Sequence, residues 1–379
     1  MFGETMQASE TISLVAAALV ALAVSYVIAR IGSGRDYLPD VPNARSSHAE
    51  MTPRSGGLAI IGSWIFALLG LSLLLTAAAA VETMVIVAAF GFVTVLAGFI
   101  DDQFSLSPPI KLLGQIIIAT GFVFVIGGFS VFPVPFFGDT VLGGWGTFLT
   151  ILWIVGFMNV FNFMDGAHGI AASSALLLLS VMSVAAALLG AIIPAIISIL
   201  LAFGLAGFFR INFPRGILFM GDNGSQSVGF LIAALSVLIV NETNISVSVL
   251  FVPTAIFAFL FDVSFTLGHR IVRRQPIFTA HREHLYQLLL RQGFSHVKVT
   301  VLYTSLTAFC ICASVLMLQL APEWQWLVPL ALATFFIIPA VLLYRKCEQA
   351  GFFGEIEQTE YVNVESEMGD LNPRVITVE

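Results

Sequence analysis

The chain has 379 residues, 58% of them hydrophobic and only 10% charged, with 34 Phe and 32 Gly. That composition excludes a soluble globular domain and describes an all-α polytopic membrane protein, one helical bundle over residues 1–345. The net charge of −7 gathers at the end, where residues 346–379 hold eight acidic and two basic side chains, so an acidic, mobile cytoplasmic tail is expected and nothing points to nucleic acid.

Taken in order, apolar runs predict eleven membrane spans near 11–29, 57–76, 83–100, 112–129, 145–161, 170–188, 190–209, 227–240, 249–267, 299–320 and 326–344. The first is not expected to be a cleavable signal, because Glu4 and Glu10 precede it and its positive charge, Arg30, follows it. The three cysteines form no disulfide pattern. Numbering the loops alternately puts all sixteen Lys and Arg on one side, from Arg30 through Lys346 to Arg374. The positive-inside rule makes that side cytoplasmic, with the N-terminus outside and the C-terminus inside. The opposite loops, including the turn-rich 130–144 stretch, carry isolated charges and no recognisable chemistry.

Five cytoplasmic segments carry unusual residues. The first contains Arg45, His48 and Arg54 ahead of the Gly56-Gly57 pair that opens a helix. Guanidinium forks and a helix N-terminus suit phosphate, although a basic loop also suits anionic lipid. The second is Asp101-Asp102, closing the third span, with Lys111 at the start of the next. Two adjacent carboxylates at a membrane edge are costly to keep ionised and call for a positive partner, most simply a hard cation. Lys111 suits either a membrane-edge anchor or a substrate phosphate.

The third segment is Asn159-x-x-Asn162-x-x-Asp165-Gly166-Ala-His168-Gly169. Its Asn, Asn and Asp share one helical face, and amide with carboxylate oxygens is hard-cation or nucleotide chemistry; helix capping would need only one of them. The fourth, Phe219-Met-Gly221-Asp222-Asn223-Gly224, brackets an Asp with glycines just before a helix. Phe219 is either a stacking platform or lipid-facing. The Gly-x-Gly-Asp of intramembrane aspartyl proteases is ruled out because Phe219 replaces its first glycine. The fifth holds His281-Arg282-Glu283-His284, read as part of a short helix capped by Thr279 and ended by Gly293, with His281, His284, Leu285 and Leu288 on one face. The His pair lacks the His-Glu-x-x-His order of zinc proteases. Asp262, inside the ninth span, is expected to pair with Arg270 or a polar groove.

Together these motifs resemble the WecA/MraY-like polyprenyl-phosphate N-acetylhexosamine-1-phosphate transferases (glycosyltransferase family 4) over nearly the whole chain, from the Arg45-Ser-Ser-His48 loop to Gly293-Phe-Ser-His296. The resemblance implies transfer of a sugar-1-phosphate from a UDP-N-acetylhexosamine to undecaprenyl phosphate. UMP would leave and Mg²⁺ would be required, with Mn²⁺ as a substitute. The setting would be the bacterial inner membrane, in the initiation of O-antigen, lipopolysaccharide or another cell-surface glycan, and a homodimer is allowed for. Carried over by motif, Asp222 and Asn162 would be metal ligands, and Asp101 and Asp102 would orient or deprotonate the acceptor phosphate. Lys111 would hold a phosphate, Asn159, Asp165 and His168 would line the substrate, and Phe219 would stack on uracil. Arg282 with His281 and His284 would hold the diphosphate and face the sugar. The chain departs from the family pattern at His168, where many relatives carry a second Asp. Its His-Arg-Glu-His loop also differs from the histidine triplet of the phospho-MurNAc-pentapeptide branch, so a 6-deoxy or other modified amino sugar is an expected donor. A transporter is the rival class; it should show internal repeats, and the motif order has none.

Overall fold

The computed structural model describes residues 8–34, 39–40, 51–74, 77–243, 248–276 and 281–353. Thirteen α-helices make up most of it: α1 (Ala8–Gly32), α2 (Gly56–Ser72), α3 (Ala78–Phe104), α4 (Pro108–Ile126), α5 (Gly144–Met164), α6 (Ile170–Leu188), α7 (Ile192–Asn212), α8 (Asp222–Glu242), α9 (Phe251–Ala255), α10 (Phe257–Val272), α11 (Leu285–Arg291), α12 (His296–Met317) and α13 (Leu327–Gln349). Among the described residues nine helices are long and apolar enough to cross a membrane. The two other predicted spans fall on α2, with 17 residues, and on the stretch divided at Ile256 into α9 and α10.

The bundle is organised around α8. Every residue from Asn223 to Val240 is buried, and α3, α5 and α2 pack along it, whereas α1, α4 and α13 leave most of their apolar surface outward. In lipid that outward surface is the solvated one, and backbone groups must be satisfied within each helix. Close approach at the start of α8 requires glycine on its neighbours. A Cβ on Gly57 of α2 would lie 2.0 Å from Asn223 Oδ1, and one on Gly98 of α3 would lie 2.4 Å from Asn223 Cα.

Several helices run further at the ends that carry the polar motifs than hydropathy predicts. α3 continues through Asp101 and Asp102 to Phe104, α4 begins at Pro108 and so includes Lys111, and α5 includes Asn162. Pro108 and Pro109 sit in the first turn of α4, where missing N–H groups cost nothing. α8 likewise starts at Asp222 and not at 227, because its polar first turns find partners on the surrounding helices. α13 continues to Gln349, past the predicted end of the bundle, and residues 354–379 of the predicted tail lie outside the described residues.

At the other end of α4 and α5, the turn-rich stretch forms an antiparallel hairpin, β3 (Val131–Val134) with β4 (Gly138–Val141), in the register Val131 opposite Val141. A two-residue pairing of β1 (Pro39–Asp40) with β2 (Thr52–Pro53) precedes α2.

Candidate active site

The polar ends of α3, α4, α5 and α8 meet at one point. Lys111 Nζ lies 2.8 Å from Asp101 Oδ2 and 3.1 Å from Asp222 Oδ2, so one ammonium bridges two carboxylates from different helices. Asn162 Nδ2 donates to Asp222 Oδ1 at 2.8 Å and to Ser225 Oγ at 3.0 Å. Asp101 is also held by Leu106 N–H on Oδ1 at 3.1 Å and by Gln226 Nε2 on Oδ2 at 3.3 Å. Behind it runs an amide relay: Gln115 Nε2 donates to Gln226 Oε1 at 3.0 Å, and Asn159 Nδ2 donates to Gln115 Oε1 at 2.6 Å.

The two adjacent aspartates have different tasks. Asp102 is turned into the start of α8, with Oδ1 accepting from Asp222 N–H at 3.0 Å and Oδ2 from Asn223 N–H at 2.9 Å and Asn223 Nδ2 at 2.5 Å. Its side chain is fully buried, and Arg54 Nη1 stands 3.8 Å away. A carboxylate against the first N–H groups of a helix satisfies orphan donors and complements the dipole. Asp102 therefore fixes Asp222, while Asp101 keeps Oδ2 toward Lys111. Asn223 ties the same point to the first loop by donating to Arg54 O at 2.9 Å.

Asp165 follows the last turn of α5 and is half-buried. Its lost hydration, and then the negative charges of Asp222 and Asp102, push its carboxyl well above the usual carboxylate range. The turn it belongs to is gripped by α11: Tyr286 OH donates to Phe163 O at 3.0 Å, and a Cβ on Gly166 would lie 2.0 Å from that hydroxyl. His284 stacks on Phe163 with centroids 5.7 Å apart, and His281 stands 5.1 Å from His284. The predicted helix over this loop is shorter than expected: α11 starts after His284, where Gln287 Oε1 accepts from His284 N–H at 3.2 Å. His281 and His284 thus precede the helix and do not share a helical face with Leu285 and Leu288; Thr279 lies outside the described residues.

His168 lies beside Phe219, ring centroids 5.8 Å apart, and stacks on His296 at 3.9 Å with an interplanar angle of 14°. Its Nδ1 faces Pro214 O at 3.3 Å. Residues Arg45 and His48 lie outside the described residues.

Sequence reasoning did not find Gln115, Gln226, Asn223, Tyr286 or His296. For the first two a signal existed: Gln115 is four residues after Lys111 and Gln226 four after Asp222, which puts each on its partner's helix face. Asn223 sits beside a named motif residue, but only packing shows that its amide reaches Asp102.

A hard divalent cation fits the donor chemistry here. Carboxylate oxygens of Asp101 and Asp222 already converge on one positive charge, and a Mg²⁺-type ion keeps most of its ligands from water and phosphate. Among the described residues no three His, Cys, Asp or Glu side chains form a metal-binding group. Asn162 now presents its amide nitrogen to Asp222, so it orients that carboxylate and would ligate only with the amide turned over.

Residues 84–240, which span the Asp101-Asp102, Asn162 and Asp222 motifs, match the family described as glycosyl transferase family 4. The chain is 31% identical over 316 residues to a Bacillus subtilis protein named probable undecaprenyl-phosphate N-acetylglucosaminyl 1-phosphate transferase, covering 83% of this chain and 85% of that one. It is 30% identical over 300 residues to the decaprenyl-phosphate N-acetylglucosaminephosphotransferase of Mycobacterium leprae, covering 69% and 72%. It is 28% identical over 312 residues to a phospho-N-acetylmuramoyl-pentapeptide-transferase of Staphylococcus aureus, covering 76% and 93%. The chain therefore belongs to glycosyltransferase family 4, the WecA/MraY-like polyprenyl-phosphate hexosamine-1-phosphate transferases, and is a multi-pass enzyme of the bacterial inner membrane.

Proposed function

We propose that the protein transfers an N-acetylhexosamine-1-phosphate from a UDP-sugar to undecaprenyl phosphate and releases UMP, as the first step in building a cell-surface glycan. The observation that carries this reading is the Asp101–Lys111–Asp222 bridge at the mouth of a fully enclosed helix. Paired carboxylates with a cation at the end of a membrane-length helix suit a lipid-borne phosphate.

An oxygen of the lipid phosphate attacks the β-phosphorus of the donor; the bond from that phosphorus to the bridging oxygen breaks, and UMP carries away the electron pair. Such transfer needs alignment and charge neutralisation more than covalent chemistry. Asp101 orients the acceptor and takes its remaining proton when the phosphate arrives as a monoanion. Lys111 exchanges a carboxylate for a phosphate oxygen. Asp222, with Asn162, would hold Mg²⁺, which neutralises the diphosphate when bound. Asp102, committed to α8 with both oxygens, holds Asp222 in place. That commitment favours direct attack over an aspartyl-phosphate on Asp102. Phe219 and His168 offer aromatic faces to uracil, and the His281–His284 segment faces the sugar diphosphate.

The test is UMP release by purified protein with undecaprenyl phosphate and Mg²⁺, using the UDP derivatives of GlcNAc, GalNAc, QuiNAc and FucNAc in turn. Release with one donor, lost in Asp222→Ala and without Mg²⁺, is expected. The relatives' names make GlcNAc the first donor to try. Release that survives Asp222→Ala would remove the assigned site.

A further inference from the structure

A second fully buried carboxylate lies away from the cluster. Asp262 on α10 is completely enclosed. Its expected partner Arg270 is engaged elsewhere: it pairs with Glu283 at 2.9 Å and donates to Pro276 O at 2.7 Å. Asp262 Oδ1 instead accepts from Leu285 N–H at 2.9 Å and from Thr266 Oγ1 at 3.4 Å, and it faces His284 Nδ1 at 3.2 Å. Oδ2 accepts from Tyr286 N–H at 3.1 Å and from Tyr303 OH at 2.5 Å. Five donors on a carboxylate far from water make a rigid node, because releasing any of them would leave a buried polar group unmet.

The node repeats the arrangement at α8. Asp102 closes the first N–H groups of α8 and so fixes Asp222; Asp262 closes those of α11 and so fixes the segment just before it. From there the connection reaches the centre in two bonds. Tyr286 OH donates to Phe163 O, and the neighbouring Asn162 donates to Asp222. The His284 ring is thus held between Asp262, which Nδ1 faces, and Phe163, on which it stacks.

We propose that Asp262 is a positioning residue for donor binding: by fixing the start of α11 and the ring of His284, it holds His281, Arg282 and His284 in register with the Asn162–Asp165 turn. It rests on the function proposed above, since the donor is a nucleotide diphosphate sugar only under that reading. Asp262 touches no substrate in this scheme. Its effect belongs to the donor and not to the lipid acceptor, whose phosphate is met by Asp101 and Lys111.

The experiment compares Asp262→Asn with the unaltered full-length protein in nanodiscs, measuring KM for the UDP-sugar, KM for undecaprenyl phosphate and the thermal midpoint. An Asn keeps the shape but replaces one acceptor oxygen by a donor, so the five bonds cannot all persist. Donor KM is expected to rise about tenfold or more, with acceptor KM within about twofold and the midpoint retained. Equal rises in both KM values, or no rise in either, would overturn the proposal. Should Asp262→Asn fail to fold, Tyr303→Phe removes a single bond to the same carboxylate. A donor KM raised by about threefold supports the proposal, and an unchanged one overturns it. Absence of transfer by the unaltered protein with every donor would count against the proposed function itself and remove this inference with it. Normal transfer with unchanged variants removes this inference alone.

Discussion

Lys111 holds two carboxylates with one ammonium, and one of them, Asp222, is the residue that would hold a divalent ion under the proposed function. Lys111 and a bound Mg²⁺ would therefore compete for Asp222 until a phosphate gave the ammonium another partner. Replacing Lys111 by Met removes the competitor and the phosphate clamp together. Mn²⁺ binding, followed by electron paramagnetic resonance, is expected to be as tight as or tighter than in the unaltered protein. Transfer should fall by about a hundredfold or more, the size expected for a lost charge stabiliser. Weakened Mn²⁺ binding would show that Lys111 supports the metal and does not rival it. The adjacent aspartates also show what residue type leaves open. Asp101 and Asp102 are identical in chemistry and neighbours in sequence, yet a helix turns successive side chains by about 100°, sending one to the lysine and the other to the α8 backbone.

At the level of elements, the site depends on how closely α3 and α2 approach α8. Gly98 sits where a Cβ would meet Asn223 Cα at 2.4 Å and Asp222 O at 2.6 Å, both backbone atoms that cannot swing aside. Gly98→Ala is expected to push α3 from α8, lower the thermal midpoint through overpacking worth about 1–3 kcal/mol, and reduce transfer more than stability alone explains, because Asp102 leaves Asp222. Thermal unfolding in detergent alongside the transfer assay checks this, and an unchanged midpoint would rule out the contact. The hydropathy pattern located these helices but drew several too short at their polar ends. Asp101, Asp102, Lys111 and Asp222 fall just outside the predicted spans because an unpaired charge is costly inside one, and Asn162 lies one residue past the fifth. They are helical because they satisfy one another across helices that hydropathy treats separately.

For the whole molecule, the active site and the β3–β4 hairpin lie at opposite ends of α4 and α5, since Lys111 and Asn162 stand at one end and the hairpin joins the other. The one-sided distribution of Lys and Arg predicts that the site end is cytoplasmic. On intact cells a membrane-impermeant maleimide is expected to label Asp139→Cys in the hairpin. Arg274→Cys, after α10, should be labelled only once the membrane is opened. The reverse pattern would invert the topology.

The sequence by itself determined the class: apolar periodicity, one-sided basic charge and four polar motifs in order are local properties, readable without knowing which helices touch. It also named Asp101, Lys111, Asn162 and Asp222, because such residues at membrane edges are rare without a role. Which of them meet, and through which atoms, is a matter of packing. The division of labour between Asp101 and Asp102, the Asn159–Gln115–Gln226 relay, the His168–His296 stack and the Asp262 node all join segments far apart in the chain. Hydrogen bonds of that kind leave no periodic trace in sequence, because each depends on the rotation and depth of a helix packed against its neighbours.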